Sequence, residues 1–176
     1  RSSAIRTMMP PKAATTGYVC YDDKNLYIAF QCKEPFMDKI KANVTERGGA
    51  VWNDDCVEIF IDPGLSRKNY YHFMVNSKNV QSNAKWDGPN NEERGWDGEW
   101  QSSTSLQPDG WTAEIKIPLS NFALASDVGS SWGINLCRER KTEPENTSWS
   151  PTFGAFHSPE KFGTIREFNA DVTPYK

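Results

Sequence analysis

The chain has no run approaching the roughly 20 continuous apolar residues of a membrane span, no basic excess, no CxxC pair and only two histidines. Each lack excludes something. Without such a run no membrane-spanning helix is expected, and residues 1–16 lack the apolar core of a secretory signal, so any export signal is expected to have been removed already. With 20 basic against 23 acidic residues and a net charge of -3, there is no cationic surplus to release counterions from nucleic acid, which is excluded as a partner. Cys20, Cys32, Cys56 and Cys137 are too widely spaced for a zinc ribbon, and each sits in an apolar strand-like run, so they read as small buried hydrophobes.

Catalytic signatures are missing as well. There is no nucleophile elbow, phosphate loop or HExxH pair, and His72 and His157 lack a suitably spaced cysteine. Paired carboxylates would suggest glycoside cleavage. Asp54 and Asp55 are adjacent, however, so on a strand they point to opposite faces and cannot flank one bond, and no spacing places Glu58 with Glu114. The chain is expected not to be an enzyme.

Helical periodicity is absent beyond two turns, and what remains is a series of short strands closed by turns. YVCY and LYIAFQC flank the turn Asp22-Asp23-Lys24-Asn25 as a hairpin, with Tyr21 facing Leu26. Cys20 then sits opposite Tyr27, which disfavours a Cys20–Cys32 disulfide. CVEIFID, YYHFMVN, WTAEIKIP, WGINLCRER and FGTIREF follow. This spacing in 176 residues indicates one domain over residues 1–176, an all-β antiparallel β-sandwich of immunoglobulin-like or jelly-roll type with long loops.

Period-two alternation assigns the faces. Val57, Ile59 and Ile61 point one way, as do Tyr71, Phe73 and Val75, and likewise Trp111, Ala113, Ile115 and Ile117. Cys56, Glu58, Phe60 and Asp62 share the other face, with His72, Met74 and Asn76 on the next strand. That mixed face is either a solvated outer sheet or the floor of a shallow cleft. Residues 79–100 and 141–161 read as long loops, with Trp86, Trp96 and Trp100 expected to plug the edge of the sandwich.

The stretch VWNDDCVEIFIDPG at residues 51–64 sets a tryptophan and several acids around a strand otherwise suited to burial. An indole stacks on the C–H face of a sugar ring, and carboxylates and amides take its hydroxyls in forked hydrogen bonds. Trp52, Glu58, Asn146 and Trp149 offer that mixture. Asp22, Asp23, Asp54, Asp55 and Asp62 lie at strand ends where oxygen ligands could hold one structural calcium near the first turn or the Asp54-Asp55 step, although turns favour aspartate without any metal. A haem reading is weaker: His72 and Met74 share a face two residues apart and cannot be opposed axial ligands, which leaves His157 with Met74.

The order LYIAFQC, W-x-DDCVEIFIDP, YYHFMVN, DGWTAEIKIPLSNF, WGINLCRER, SWSP and FHSPEKFGTI resembles carbohydrate-binding module family 9 over residues 18–168. The resemblance implies a β-sandwich module, secreted, periplasmic or at the cell surface, attached to xylanases or other polysaccharide-degrading proteins. It implies a sugar terminus of glucan or xylan type held between two tryptophans, with structural calcium. Carried over, the tryptophans are Trp52 and Trp149, with Glu58 and Asn146 beside them; Arg138 is the nearest match to the family's binding arginine. The family's amino-terminal strand is expected to be shortened or altered here, because residues 1–16 read as an irregular Pro/Ala/Thr segment. The alternative is a structural or interaction module of a polysaccharide-processing protein, without sugar affinity.

Overall fold

The computed structural model describes residues 10–88, 90–93, 95–122 and 131–166. Ten strands run in chain order: β1 (Thr15–Tyr21), β2 (Asn25–Lys33), β3 (Cys56–Asp62), β4 (Asn69–Asn76), β5 (Gln81–Asp87), β6 (Gln101–Gln107), β7 (Gly110–Pro118), β8 (Trp132–Arg140), β9 (Glu145–Ser148) and β10 (Gly163–Ile165). Among the described residues, single 3-10 turns are the only helical structure. The strands form two antiparallel sheets, β1-β2-β7-β6 and β10-β8-β3-β4-β5, with β9 added alongside β8. The all-β sandwich expected from the strand spacing is thus the fold.

The expected inward residues make the core between the sheets. Val57, Ile59 and Ile61 of β3 and Phe73 and Val75 of β4 pack with Leu26, Ile28 and Phe30 of β2 and with Trp111, Ala113, Ile115 and Ile117 of β7. The first hairpin has the expected register, Tyr21 opposite Leu26 and Cys20 opposite Tyr27. Asp22 shapes its turn, accepting the amides of Lys24 and Asn25 at 2.8 and 2.7 Å. At Gly110 a Cβ would lie 2.1 Å from the Cys32 carbonyl oxygen, so only glycine lets β7 pass β2 there.

Four features depart from the expectation, the first being that the expected loop 141–161 contains β9. The segment 79–100 is not a loop throughout: it contains β5, and β6 follows at once. Both are edge strands, β6 being nearly all Ser, Thr and Gln. The last strand is shorter than FGTIREF, ending at Ile165, and residues 167 and 168 of that stretch lie outside the described residues, as do residues 1–9. Cys20 is exposed on edge strand β1, whereas the other three cysteines are buried.

The mixed face is no solvated outer sheet. Every residue of β3 is buried, because a second layer covers the back of the six-stranded sheet. Phe60, Tyr70, Cys137, Phe156 and Phe162 form one cluster there, with Trp86 against it, and Val51, Cys56 and Met74 form another. Trp96 and Trp100 do plug the sandwich, packing on Phe73, whereas Trp86 belongs to this back layer.

Candidate functional site

The back layer leaves a gap. Between its two clusters lies a cleft of about 620 Å³ whose floor is the central sheet, a size ordinary for small-molecule sites. Pairing register brings the floor together: Glu58 lies opposite Met74 on β4, and Ser82 and Ala84 of β5 lie opposite Met74 and His72. On the far side Glu139 of β8 faces Asn146 of β9. Trp52 stands at the rim on a 3-10 turn, Val51–Asn53, anchored by the fully buried Val51, and is 48% exposed. Residues 154–157 close the opposite wall.

Hydrogen bonds fix the floor. Glu58 Oε2 is 2.7 Å from His72 Nε2, both side chains being almost fully buried. The His72 ring stacks on Phe60, centroids 4.1 Å apart. Tyr70 Oη lies 2.7 Å from His157 Nδ1, and the His157 ring meets Trp86 and His72 edge-on at 4.7 and 5.0 Å. Burial, with the neighbouring His72, pushes the His157 pKa down to about 4, so the ring beside the Tyr70 hydroxyl is neutral at neutral pH. Glu139 is pushed up, chiefly by burial; its Oε1 accepts Asn146 Nδ2 at 3.0 Å, and Lys141 Nζ sits 2.5 Å from its Oε2.

His157 therefore makes stability depend on pH. The unfolded chain binds its proton near 6.5, the folded chain only near 4. Because the folded-state value is the lower one, this contribution is complete above about 6.5 and is lost as pH falls towards 4. Allowing for partial solvent access, it amounts to roughly 2 kcal/mol. Urea unfolding at about pH 7 and about pH 5 should show the loss, and His157→Gln should flatten it. Equal pH dependence in the two proteins would exclude His157 as its source.

Of the residues singled out in the sequence, Trp52, Glu58 and Asn146 share this cleft, and so do Met74 and His157. Trp149 does not. After β9 its side chain turns to the sandwich side of the sheet and lies flat on Gly163, where a Cβ would come within 2.0 Å of the indole. There it lines a separate apolar cavity of about 540 Å³ with Val19, Tyr21, Leu136 and Ile165. Arg138 is likewise not a cleft residue. Its position on β8 alternates with Glu139, so it points between the sheets, where its guanidinium donates to the Lys33 carbonyl at 2.9 Å and to Glu34 at 3.3 Å.

Of the aspartates singled out for calcium, Asp22, Asp54, Asp55 and Asp62 accept protein donors, and Asp23 is exposed in the first turn. Asp54 accepts the Asn43 and Val44 amides, both at 2.9 Å, and Asn76 Nδ2 at 3.0 Å. Asp55 accepts the Lys41 and Lys141 amides at 2.8 and 2.9 Å. Asp62 accepts the Ser66 and Arg67 amides, and Asp22 binds its own turn and the Tyr27 hydroxyl. These bonds already give each of those carboxylates a role in holding the backbone around it. Glu58 and Glu114 cannot form a glycosidase pair either, since Glu114 is exposed on β7 of the other sheet.

Trp86, Glu92 and Glu139 line the cleft without having been assigned to it from the sequence, and His72 and His157 enter it as carboxylate and tyrosine partners and not as haem ligands. The alternation that puts His72 beside Glu58 was readable, but Trp86 needed β5 to be recognised as a strand.

A two-layered sandwich whose central sheet carries a roofed cleft of indole, carboxylate, imidazole and amide groups is a ligand-binding module. The family model described as "Carbohydrate family 9 binding domain-like" matches residues 3–167, and the chain belongs to that family, a non-catalytic one. Endo-1,4-beta-xylanase A of Thermotoga neapolitana is 27% identical over 156 residues, 84% of this chain but 13% of that enzyme, so the chain spans a small part of that relative's length. An "Extracellular protein" of Arthroderma benhamiae is 27% identical over 173 residues, covering 86% of this chain and 73% of that protein. Among solved structures, a putative carbohydrate-binding protein of Bacteroides uniformis matches with a TM-score of 0.74 at 23% identity, over 89% of this chain and 79% of that one. A family 9 module of Caldicellulosiruptor kristjanssonii in complex with glucose matches at 0.67 and 20%, over 90% and 78%.

Proposed function

We propose that the protein binds a terminal sugar of a glucan- or xylan-type saccharide, without catalysis, in the cleft bounded by Trp52. The observation that carries the proposal is the half-exposed Trp52 indole at the rim of the same cleft whose floor holds Glu58 and whose wall holds Asn146. A pyranose stacked on that indole presents its hydroxyls to the carboxylate and amide below. A slot walled by Trp52 and Trp149 is not part of the proposal, because Trp149 would have to leave its seat on Gly163; Trp86 is the second indole lining the cleft. The solved relatives in complex with glucose and with cellotriose support a sugar as the ligand class. The xylanase and extracellular relatives support a role outside the cell, beside the other domains of a polysaccharide-processing protein.

Calorimetric titration with glucose, cellotriose and xylose oligomers tests the reading. Trp52→Ala should weaken binding by about tenfold or more, the loss of one well-packed aromatic anchor. Full affinity in that variant would remove the stacking role. Absence of binding to every sugar would leave a structural or interaction module.

A further inference from the structure

The charges around the cleft are one-sided. Glu58, Glu92 and Glu139 line it, and no lysine or arginine does so among the described residues. Glu139 is neutralised by Lys141, and both of its oxygens are engaged. Glu58 differs. It is 3% exposed and meets His72 through Oε2 at 2.7 Å, an ion pair when the imidazole is protonated, while Oε1 has no protein donor among the described residues. Glu92 is exposed at the rim, paired through the backbone with Trp86. The arginines are spent elsewhere: Arg138 and Arg140 lie between the sheets on Glu34, and Arg47 is held by Asp97 and the Gly98 carbonyl. His157 is neutral above about pH 4.

A cleft carboxylate that shares one oxygen with an imidazole and has no protein donor on the other can take a further donor, and a ligand that brings a cation offers both a hydrogen bond and a favourable field. A neutral hydroxyl supplies only the hydrogen bond. A second carboxylate meets like charge in a partly desolvated space. From this we infer that the cleft selects a protonated amino sugar, a glucosamine-type pyranose whose ammonium group docks on Glu58 Oε1 and is drawn in by Glu92. Neutral hexoses rank below it and uronic acids last. The inference rests on the carbohydrate reading of this same cleft and names the sugar class within it.

Calorimetry at about pH 6 and low salt, where the glucosamine amine is charged, compares glucosamine, N-acetylglucosamine, glucose and glucuronic acid. Glucosamine should bind about tenfold tighter than glucose, N-acetylglucosamine should lose that advantage with its charge, and glucuronic acid should bind weakest. Raising the salt should erode the glucosamine advantage, since screening acts on the charged ligand alone. Glu58→Gln should weaken every sugar and collapse the glucosamine-to-glucose ratio towards one. Should that variant fail to fold, Glu92→Gln, altered at an exposed rim position, should still lower the ratio. Glucose binding as tightly as glucosamine, or a ratio indifferent to salt and to both variants, overturns the amino-sugar inference and leaves sugar binding standing. Failure of all four sugars overturns both.

Discussion

Glu34→Ala should lower the stability of the protein by about 3–5 kcal/mol, the cost of stranding buried charge, and its melting temperature by roughly 6–20 °C for a chain of this size. Glu34 follows β2 of one sheet, and its carboxylate is fully buried against β8 of the other. Arg140 grips it with two donors, Nε at 2.7 Å and Nη2 at 2.9 Å, and Arg138 adds Nη2 at 3.3 Å. The Thr142 hydroxyl and the Phe36 amide complete its shell. Removing the carboxylate leaves two guanidinium groups, 1% and 2% exposed, with Lys33 O, Thr15 and Glu143 as their remaining partners. Arg138 Nε already lacks one.

The same group sets the acid limit. Burial alone would raise the Glu34 carboxyl, but the Arg140 and Thr142 hydrogen bonds and the Phe36 amide outweigh it and hold the value at about 2, against 4.5 in the unfolded chain. A depressed folded-state value means stabilisation that is complete above about 4.5 and lost as pH falls towards 2. It amounts to roughly 3 kcal/mol. Thermal melts of the wild type and Glu34→Ala at neutral pH and near pH 3 should converge as the wild type loses this term. A variant melting within two or so degrees of the wild type at neutral pH would show that the clamp contributes little.

Neither this clamp nor the cleft was visible to the same depth in the sequence. Alternation in CVEIFID and YYHFMVN separated the core set from the Glu58–His72 set, because a strand offers its residues two faces and nothing else. Alternation is silent on what covers the second face. That depended on Tyr70, Phe156 and Phe162 folding over Phe60, contacts between residues up to a hundred positions apart. Edge strands β5 and β6 escaped because a strand bonded on one side need not be apolar, and Gln-Ser-Asn-Ala-Lys reads as a loop until a neighbour supplies the ladder. Arg138 and Trp149 fall outside the cleft for a related reason. Arg138 lies one position from Glu139 and Trp149 three from Asn146, and an odd spacing along extended chain puts a side chain on the opposite face. A motif match carries residue type faithfully, whereas phase along β8 and β9 had to come from the pairing.

The acid pair in VWNDDCVEIF yields a prediction of similar size. Asp54→Ala should destabilise the protein by about 2–4 kcal/mol, because the half-buried Asn43 and Val44 amides and the buried Asn76 Nδ2 would lose their acceptor together, and an unsatisfied donor costs roughly 1–3 kcal/mol when buried and less where water can reach it. Asp54 has no exposed surface, and it clips the segment before Trp52 onto β3 and β4. Asp55, pointing to the opposite side, clips Lys41 and Lys141 in the same way, which explains why two adjacent carboxylates serve one strand end. Asp54→Asn is the informative companion. Its amide keeps one acceptor but turns an N–H towards incoming N–H groups, so it should recover only part of the loss. Since the clipped segment leads into the turn that carries Trp52, Asp54→Asn should also weaken sugar binding at temperatures where the protein remains folded. Chelator separates this account from a calcium site: melting of the wild type should be the same with and without it. A chelator-induced fall in melting temperature that Asp54→Asn abolishes would mean that these carboxylates face a cation and not the amides.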